Sequence, residues 1–197
     1  LVFQWARSEG WMPGLHDAEL FFAADSTGFW VTRDRATGKA VAGLGVCKYA
    51  PNFAFLGFYI ALPEVRGRGL GLHTWNTALG SVPDHVLALD GVTAQESNYA
   101  KSGFATAYRS LRFQNTKTSA AQIQTAHPPP SVPGLRITPL VSEADVAEVL
   151  EYDQPCFPGD RMELLRRLLA QPTAVALQVV TLFFFKKKKT GRGGGGG

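Results

Sequence analysis

A glycine-rich junction constrains the fold of this chain more than any other feature. The segment VRGRGLGLHTW, residues 65–75, directly follows an apolar run, FAFLGFYIAL, and leads into a helix-like pattern. Glycine costs about 0.5–1 kcal/mol relative to alanine in regular structure, so glycines at alternate positions 67, 69 and 71 indicate a loop with a special backbone. Such a loop lets successive N–H groups converge on an anion, and the following helix adds its positive N-terminus. We therefore expect a strand, an anion-binding loop and a helix in succession.

Two well-known phosphate-binding loops do not fit this segment. The Walker loop needs Lys-Ser or Lys-Thr after its last glycine, whereas Gly71 is followed by Leu72 and His73. The dinucleotide fingerprint would need glycine at position 72, and its strand–loop–helix unit would open the fold instead of following a hairpin. The remaining pattern is Arg66-x-x-Gly69-x-Gly71. A glycine-rich helix start that binds no ligand is the alternative that these residues leave open.

Apolar periodicity and turn residues predict an α/β protein in two units. In residues 1–113 we expect helices and strands in mixed order: helices at 2–8, 16–24, 70–79 and 94–102, and strands at 29–33, 40–49, 53–62, 86–90 and 108–113. Residues 114–134 are polar, contain three consecutive prolines and are typical of a linker. Residues 135–182 resemble the start of a second α/β unit, with a capping box at Ser142–Asp145, and 183–197 form a low-complexity tail.

Charge and composition exclude several classes of function. The formal charge of +4 arises from the tail, because five of the 20 basic residues lie between 186 and 192. The body lacks the basic excess of a nucleic-acid-binding protein. Its longest apolar run, 174–185, is interrupted by polar residues and is shorter than the ~20 residues that span a bilayer. Two cysteines, Cys47 and Cys156, are expected as buried thiols, so we predict a cytoplasmic protein without nucleic-acid or membrane partners.

A second motif gives the glycine loop a family context. Residues 98–104 read NYAKSGF and follow the loop by about thirty residues, with a helix, a strand and a second helix expected in that part of the chain. The ordered pair resembles the GNAT (Gcn5-related) N-acetyltransferase superfamily, whose pyrophosphate loop is Q/R-x-x-G-x-G/A and which carries a Y-x-K-x-G-F segment. The segments GWMPGLHD, LDGV and DQPCF resemble the branch with a second, C-terminal GNAT-like domain.

The resemblance covers roughly residues 1–182 and implies a GNAT fold. That fold has a mixed, mostly antiparallel central sheet flanked by helices. We expect 1–113 to be a GNAT domain that lacks its first strand, and 135–182 to be an incomplete second GNAT-like domain of a truncated chain.

The resemblance implies transfer of an acetyl group from acetyl-CoA, a co-substrate, to a primary amine of a small molecule, without a metal. At position 92 many relatives place an asparagine that contacts the cofactor, and this chain has Val92, with Gln95 and Asn98 as neighbouring amides. The implied cofactor-binding residues are those of the strand end, the loop and the amides: Ile60, Ala61, Arg66, Gly67, Arg68, Gly69, Leu70, Gly71, Gln95 and Asn98.

Three residues are candidates for the chemistry itself. Tyr99 matches the tyrosine that protonates the departing thiolate in many relatives, although a tyrosine packed under its helix would look the same in sequence. Removing a proton from the amine near neutral pH requires a base such as a carboxylate. Asp90, at the end of a strand, and Glu64, beside the loop, are the nearest candidates, and each also has a structural interpretation.

Two other functions share the same motifs. A non-catalytic acyl-CoA-binding or dimerisation module would keep the fold without turnover; Val92 favours it, whereas Tyr99 favours the enzyme. A protein acetyltransferase would need an open groove and complementary charge, and the sequence shows neither. A homodimer is the candidate assembly.

Overall fold

A computed structural model describes residues 1–111, 132–140 and 142–181. The predicted linker, except for residues 132–134, and the predicted tail at 183–197 lie outside the described residues. The helices of the described chain are α1 (Val2–Ser8), α2 (Asp17–Ala24), α3 (Leu70–Leu79), α4 (Glu96–Lys101), α5 (Glu143–Asp153) and α6 (Met162–Leu169). The strands are β1 (Phe29–Arg33), β2 (Ala40–Tyr49), β3 (Phe53–Ala61), β4 (Val86–Leu89), β5 (Leu135–Pro139) and β6 (Leu177–Thr181).

The first four strands form one mixed sheet in the order β1-β2-β3-β4. β1, β2 and β3 are antiparallel neighbours, and β4 runs parallel to β3. β2 and β3 are apolar on both faces, a pattern typical of central strands covered on both sides. The predicted mixed, mostly antiparallel sheet flanked by helices is confirmed.

The two faces of the sheet are covered by different helices. Leu44 and Val46 of β2 lie in one core cluster with Trp75 of α3. Gly43, the residue before Leu44, lies on the opposite face, where an added Cβ would meet Val2 and Trp5 of α1 within about 3.3 Å. The sheet therefore separates α3 from α1, and the glycine loop leads from the end of β3 onto the α3 side.

The prediction of a strand at 108–113 is wrong for the part that the structure describes, because residues 108–111 have no regular secondary structure. Tyr108 and Leu111 are 72% and 78% exposed, so the alternating pattern has no apolar surface to cover. Glu96 of α4 instead accepts hydrogen bonds from Thr106 and Arg109, at 2.8 and 3.0 Å. These bonds hold the segment against α4 and not in a ladder beside β4.

The second unit contacts the sheet at the turn between β2 and β3. Phe157 packs edge-on against Tyr49 and Phe53, with ring centroids 5.2 and 5.3 Å apart. The Asp160 N–H donates to the carbonyl of Ala50 at 2.8 Å. This contact lies at the opposite end of β3 from the glycine loop.

Local signals of the second unit agree with the sequence. β5 and β6 pair antiparallel, and Ser142 and Asp145 form the predicted capping box. Cys47 is buried as expected, but the expectation for Cys156 is wrong, because this thiol is exposed and Phe157 takes the inward position beside it. None of the described helices is long and apolar enough to cross a membrane.

Candidate functional site

The glycine loop adopts backbone conformations that side chains disfavour. Gly67 and Gly69 have φ of +75° and +80°, in the left-handed region. A Cβ built on either residue would meet no atom within 4 Å, so the loop is open on its outer side. Gly69 is the N-cap of α3. The loop therefore delivers an open, uncrowded backbone to the N-terminus of a ten-residue helix.

Backbone donors accumulate at this point. Several backbone N–H groups at the end of the loop and the start of the helix donate no hydrogen bond to any described residue: those of Gly67, Gly69, Leu70, Gly71 and Leu72. The first four N–H groups of any helix lack intrahelical partners. Together with the positive end of the helix dipole, these groups form a site suited to a phosphate or another anion.

The two arginines of the loop have different roles. Arg66 donates from Nε to the carbonyl of Ala61 at 2.9 Å, and its Nη2 pairs with the carboxylate of Glu9, the C-cap residue of α1. Arg68 is exposed and close to the β1–β2 turn. The pKa of Asp34 there is lowered mainly by the Thr37 hydroxyl and backbone, with a contribution from the charge of Arg68. Arg66 thus fixes the loop to α1 and β3, and Arg68 adds positive charge at its rim.

β3 and β4 pair along only part of β3. The paired residues are Phe53–Leu56 with Val86–Leu89, and β3 continues beyond them to Ala61. The register between β2 and β3 shifts at this point, and Phe58 has φ of +55°. A bulge of this kind bends a strand, and bulges are frequent beside active sites. Among the described residues, β3 therefore has an unpaired edge between the end of β4 and the glycine loop.

The backbone of this edge can hydrogen-bond an extended molecule. The Leu62 N–H donates to the carbonyl of Val41, which continues β2 pairing. Because backbone groups of successive strand residues point to opposite sides, those of Ala61 point away from β2. Ile60 and Ala61, which are predicted to contact the pantetheine chain of the cofactor, both lie in this strand. Ile60 pairs with Gly43, and the carbonyl of Ala61 accepts a hydrogen bond from Arg66.

Tyr99 lies in an aromatic cluster on the α3 side of the sheet. Trp75 is 4% exposed. Its ring contacts the rings of Tyr59 and Tyr99, with centroid distances of 5.1 and 5.8 Å. Burial raises the pKa of the Tyr99 hydroxyl. The pKa of the Tyr59 hydroxyl is raised mainly by burial and to a smaller extent by the nearby Tyr99. Both hydroxyls therefore keep their protons at neutral pH and can serve as donors.

The loop after β4 holds Tyr99 in place. A Cβ on Gly91 would lie 2.6 Å from Cε2 of the Tyr99 ring, closer than any real contact. Only glycine lets the backbone pass the ring at this distance. Gly91 is thus a positioning residue that the sequence motif did not reveal.

A cavity of about 760 Å³ lies between β4, α4 and residues 102–110. Asp90, Val92 and Tyr99 line it, so the structure brings two of the three predicted catalytic residues to one space. Glu64 does not line this cavity and is exposed in the 3₁₀ turn Pro63–Val65 before the loop.

The predicted amides lie at the start of α4. Gln95 is the N-cap of α4, and its side-chain oxygen accepts from Asn98 Nδ2 at 2.7 Å. Both residues are exposed, and the two side-chain amides are hydrogen-bonded to each other. Their contact with a cofactor stays a prediction.

Comparison with known proteins agrees with this geometry. A family model described as the acetyltransferase (GNAT) family matches residues 2–104, which is more than half of the chain. The chain belongs to the GNAT acetyltransferase family. The match includes both motifs on which the resemblance was based.

Curated relatives of this GNAT chain match over somewhat more than half of its length. A holothin acyltransferase of Pseudoalteromonas sp. (strain SANK 73390) is 37% identical over 113 residues, which cover 57% of this chain and 38% of the relative. An uncharacterized protein of Caenorhabditis elegans is 28% identical over 115 residues, covering 58% and 36%. The GNAT chain thus spans little more than a third of the length of these relatives.

A solved structure shares the fold. A Pyrococcus horikoshii protein assigned as an acetyltransferase superposes with a TM-score of 0.60 at 17% identity, covering 84% of this GNAT chain and 56% of that protein. At this identity the likeness shows the fold alone. In the described parts of the chain, no group of three His, Cys, Asp or Glu side chains could hold a metal ion; the predicted metal independence stays a prediction.

Sequence reasoning missed three residues of this site. Tyr59, Trp75 and Gly91 shape the surroundings of Tyr99. Trp75 ends the glycine-rich segment and Gly91 lies in the LDGV segment, but neither was given a role, and Tyr59 gave no local signal.

Proposed function

We propose that this GNAT chain carries the acyl-transfer site of an acetyl-CoA-dependent N-acetyltransferase acting on a primary amine of a small molecule. One observation carries the proposal: the cluster of unpaired N–H donors at the start of α3 lies at the end of the unpaired edge of β3. An anion site and an amide-binding edge in succession match a pyrophosphate joined to a pantetheine chain. The similarity to an enzyme named as an acyltransferase supports acyl transfer.

The residues present fit such a co-substrate. The N–H groups of Gly67, Gly69 and Gly71 would hold the pyrophosphate, and Arg68 would add charge at the rim. The edge of β3 around Ile60 and Ala61 would hold the amide-containing arm. When bound, acetyl-CoA supplies an acetyl group activated as a thioester.

Tyr99 is suited to donate a proton from its hydroxyl to the sulfur that leaves. Burial keeps that hydroxyl protonated at neutral pH, and Trp75 fixes its ring. Asp90, at the end of β4 on the wall of the same cavity, is the better placed of the two candidate bases for receiving the amine proton, directly or through a water. Backbone N–H groups at the bulge of β3 are candidate donors to the developing oxyanion.

The close approach of Gly91 to Tyr99 gives a direct test of ring position. Gly91→Ala places a methyl group 2.6 Å from the ring, so the ring must move. We expect product formation to fall roughly 10–100-fold, because small displacements of catalytic groups cost about that much. Gly80→Ala is the matched control, since its Cβ would approach no atom closer than 3.4 Å. Equal rates for the two variants would remove Gly91 from the catalytic arrangement.

Thermal denaturation of the full 197-residue chain tests the proposal itself. Acetyl-CoA at 100 times its Kd should add about 2.7 kcal/mol to the stability of the folded state. For a chain of this size the midpoint should rise by roughly 5–10 °C. Inorganic phosphate at the same concentration is the control. An unchanged midpoint in a cooperatively melting sample would contradict the proposal.

Turnover separates the enzyme from the non-catalytic module. Release of the CoA thiol in the presence of an amine, followed with a thiol reagent, is the expected result. A midpoint shift without thiol release across a panel of amines would favour the acyl-CoA-binding module, for which Val92 on the cavity wall is the supporting residue. The small-molecule acceptor and the homodimer stay predictions.

A further inference from the structure

Phenylalanine rings collect on the face of the sheet opposite α3. Phe58 of β3 contacts Phe3 of α1 and Phe21 of α2, with ring centroids 4.4 and 6.1 Å apart. Phe3 also contacts Phe29 of β1 at 6.5 Å. We call these four residues the phenylalanine wall. Each of them is partly exposed, so the wall still presents aromatic surface to solvent.

Two glycines form a flat floor beside this wall. Gly45 of β2 and Gly57 of β3 are directly opposite one another, and opposed residues of an antiparallel pair share a face. A Cβ on Gly45 would meet the Phe29 ring at 3.4 Å, which places that face on the side of the wall. A Cβ on Gly57 would meet nothing within 4 Å. The floor therefore carries no side chain of its own; the Phe29 ring lies over Gly45, and the space above Gly57 is open.

The open floor lies at the fork between β3 and β4. Leu56 and Leu89 are the last pair of the parallel ladder, and Gly57 is the next residue of β3. Phe58 follows in a left-handed conformation, φ +55°, which is costly for a bulky residue. Backbone strain of this kind concentrates at functional sites. The bulge therefore places the Phe58 ring in the phenylalanine wall, one residue after Gly57 of the floor.

We propose that the glycine floor and the phenylalanine wall bind the acceptor, and that the acceptor is an amine that carries a planar aromatic ring. This inference rests on the proposed function, because the fork is where the acetyl group would be presented. A side-chain-free floor flanked by rings accepts a flat apolar group and buries its faces. The side chains of the floor and wall carry no carboxylate, hydroxyl or amide group, so they offer no partner to the hydroxyls of a sugar or to the charges of a polyamine.

The first experiment compares amines on the unmodified chain. With acetyl-CoA, 2-phenylethylamine should be acetylated with a kcat/KM at least about tenfold above that of ethanolamine, the range that burial in an apolar pocket provides. Equal rates, or preference for ethanolamine, would overturn the inference while leaving the proposed function intact. Acetylation of neither amine, with acetyl-CoA still raising the melting midpoint, would also overturn it. Absence of the midpoint shift would remove the proposed function and the inference together.

Gly57→Ala tests the floor with little risk to folding. The new methyl group enters open space, so the melting midpoint and its shift with acetyl-CoA should be unchanged. The methyl group occupies the place of the ring, and we expect KM for 2-phenylethylamine to rise about tenfold or more. Gly80→Ala is the matched control. If KM for 2-phenylethylamine rises no more in Gly57→Ala than in Gly80→Ala, the acceptor does not bind at the floor.

Phe58→Asn tests the wall. Asparagine tolerates the left-handed region, so the bulge should persist without the ring. Loss of preference between the two amines is expected, driven by a higher KM for the aromatic one. Phe22→Asn is the control, because the Phe22 ring contacts Phe29 at 6.2 Å and is exposed. Retained preference in Phe58→Asn would overturn the assignment of the wall.

Discussion

Tyr99→Phe should lower the rate of product formation about 100-fold or more while leaving the affinity for acetyl-CoA unchanged. A positioned general acid contributes roughly 10²–10⁴-fold. Phenylalanine keeps the ring, and with it the 5.8 Å contact with Trp75 and the fit against Gly91. Only the hydroxyl is lost, so the fold and the binding of acetyl-CoA should be preserved.

Two comparison variants make this result specific. Tyr152→Phe removes a hydroxyl from α5, where the residue is 76% exposed, and should have no effect. Tyr59→Phe removes the other hydroxyl beside Trp75. If Tyr59→Phe lowers the rate and Tyr99→Phe does not, the proton donor is Tyr59 and the assignment of Tyr99 is wrong.

The pH dependence has a defined sign. Tyr99 acts in its protonated form, and burial raises its pKa above the ordinary value of 10.0. The midpoint of any decline in activity caused by deprotonation of Tyr99 should therefore lie above pH 10.0. A high-pH limb whose midpoint lies below this value and that disappears in Tyr99→Phe would contradict the raised pKa.

Gly69→Val should weaken both the fold and the binding of acetyl-CoA. Gly69 has φ of +80°, and the left-handed region costs an ordinary L-residue roughly 1–2 kcal/mol, more for a branched side chain. Relaxation of that strain would turn the N–H groups at the start of α3 away from a common point. We expect a lower melting midpoint and an acetyl-CoA affinity reduced at least about tenfold, consistent with loss of one or two backbone bonds to a charged group.

A second strained glycine separates the two effects. Gly38, in the β1–β2 turn, has φ of +69° and open space around its Cβ position. Gly38→Val should lower the melting midpoint by a similar amount and keep the affinity for acetyl-CoA. Should Gly69→Val retain full affinity as well, the loop does not bind the pyrophosphate. Both melting curves and titrations can be measured on the same samples.

The location of the site was largely predictable because its signals are local. The glycine spacing from 67 to 71 indicates particular backbone angles, and in the structure Gly67 and Gly69 lie in the left-handed region with α3 beginning at Leu70. β1 and β2 have the predicted bounds, since two apolar segments joined by turn residues define a hairpin without reference to the rest of the chain. The capping box at Ser142 is equally local. The segment 108–111 shows the opposite case, because an alternating pattern forms a strand only where a neighbouring edge receives it.

The sequence by itself determined the order of the elements, the glycine loop and the tyrosine segment, because backbone preferences and periodicity act over a few residues. Only the tertiary structure decided how these parts meet. The anchoring of Arg66 by Glu9 joins residues far apart in the chain, and the contact of Gly91 with Tyr99 depends on how α4 packs beside β4. The open floor at Gly57 follows from strand register and from the bulge at Phe58. Register and packing are properties of the whole sheet, and no short stretch of sequence contains them.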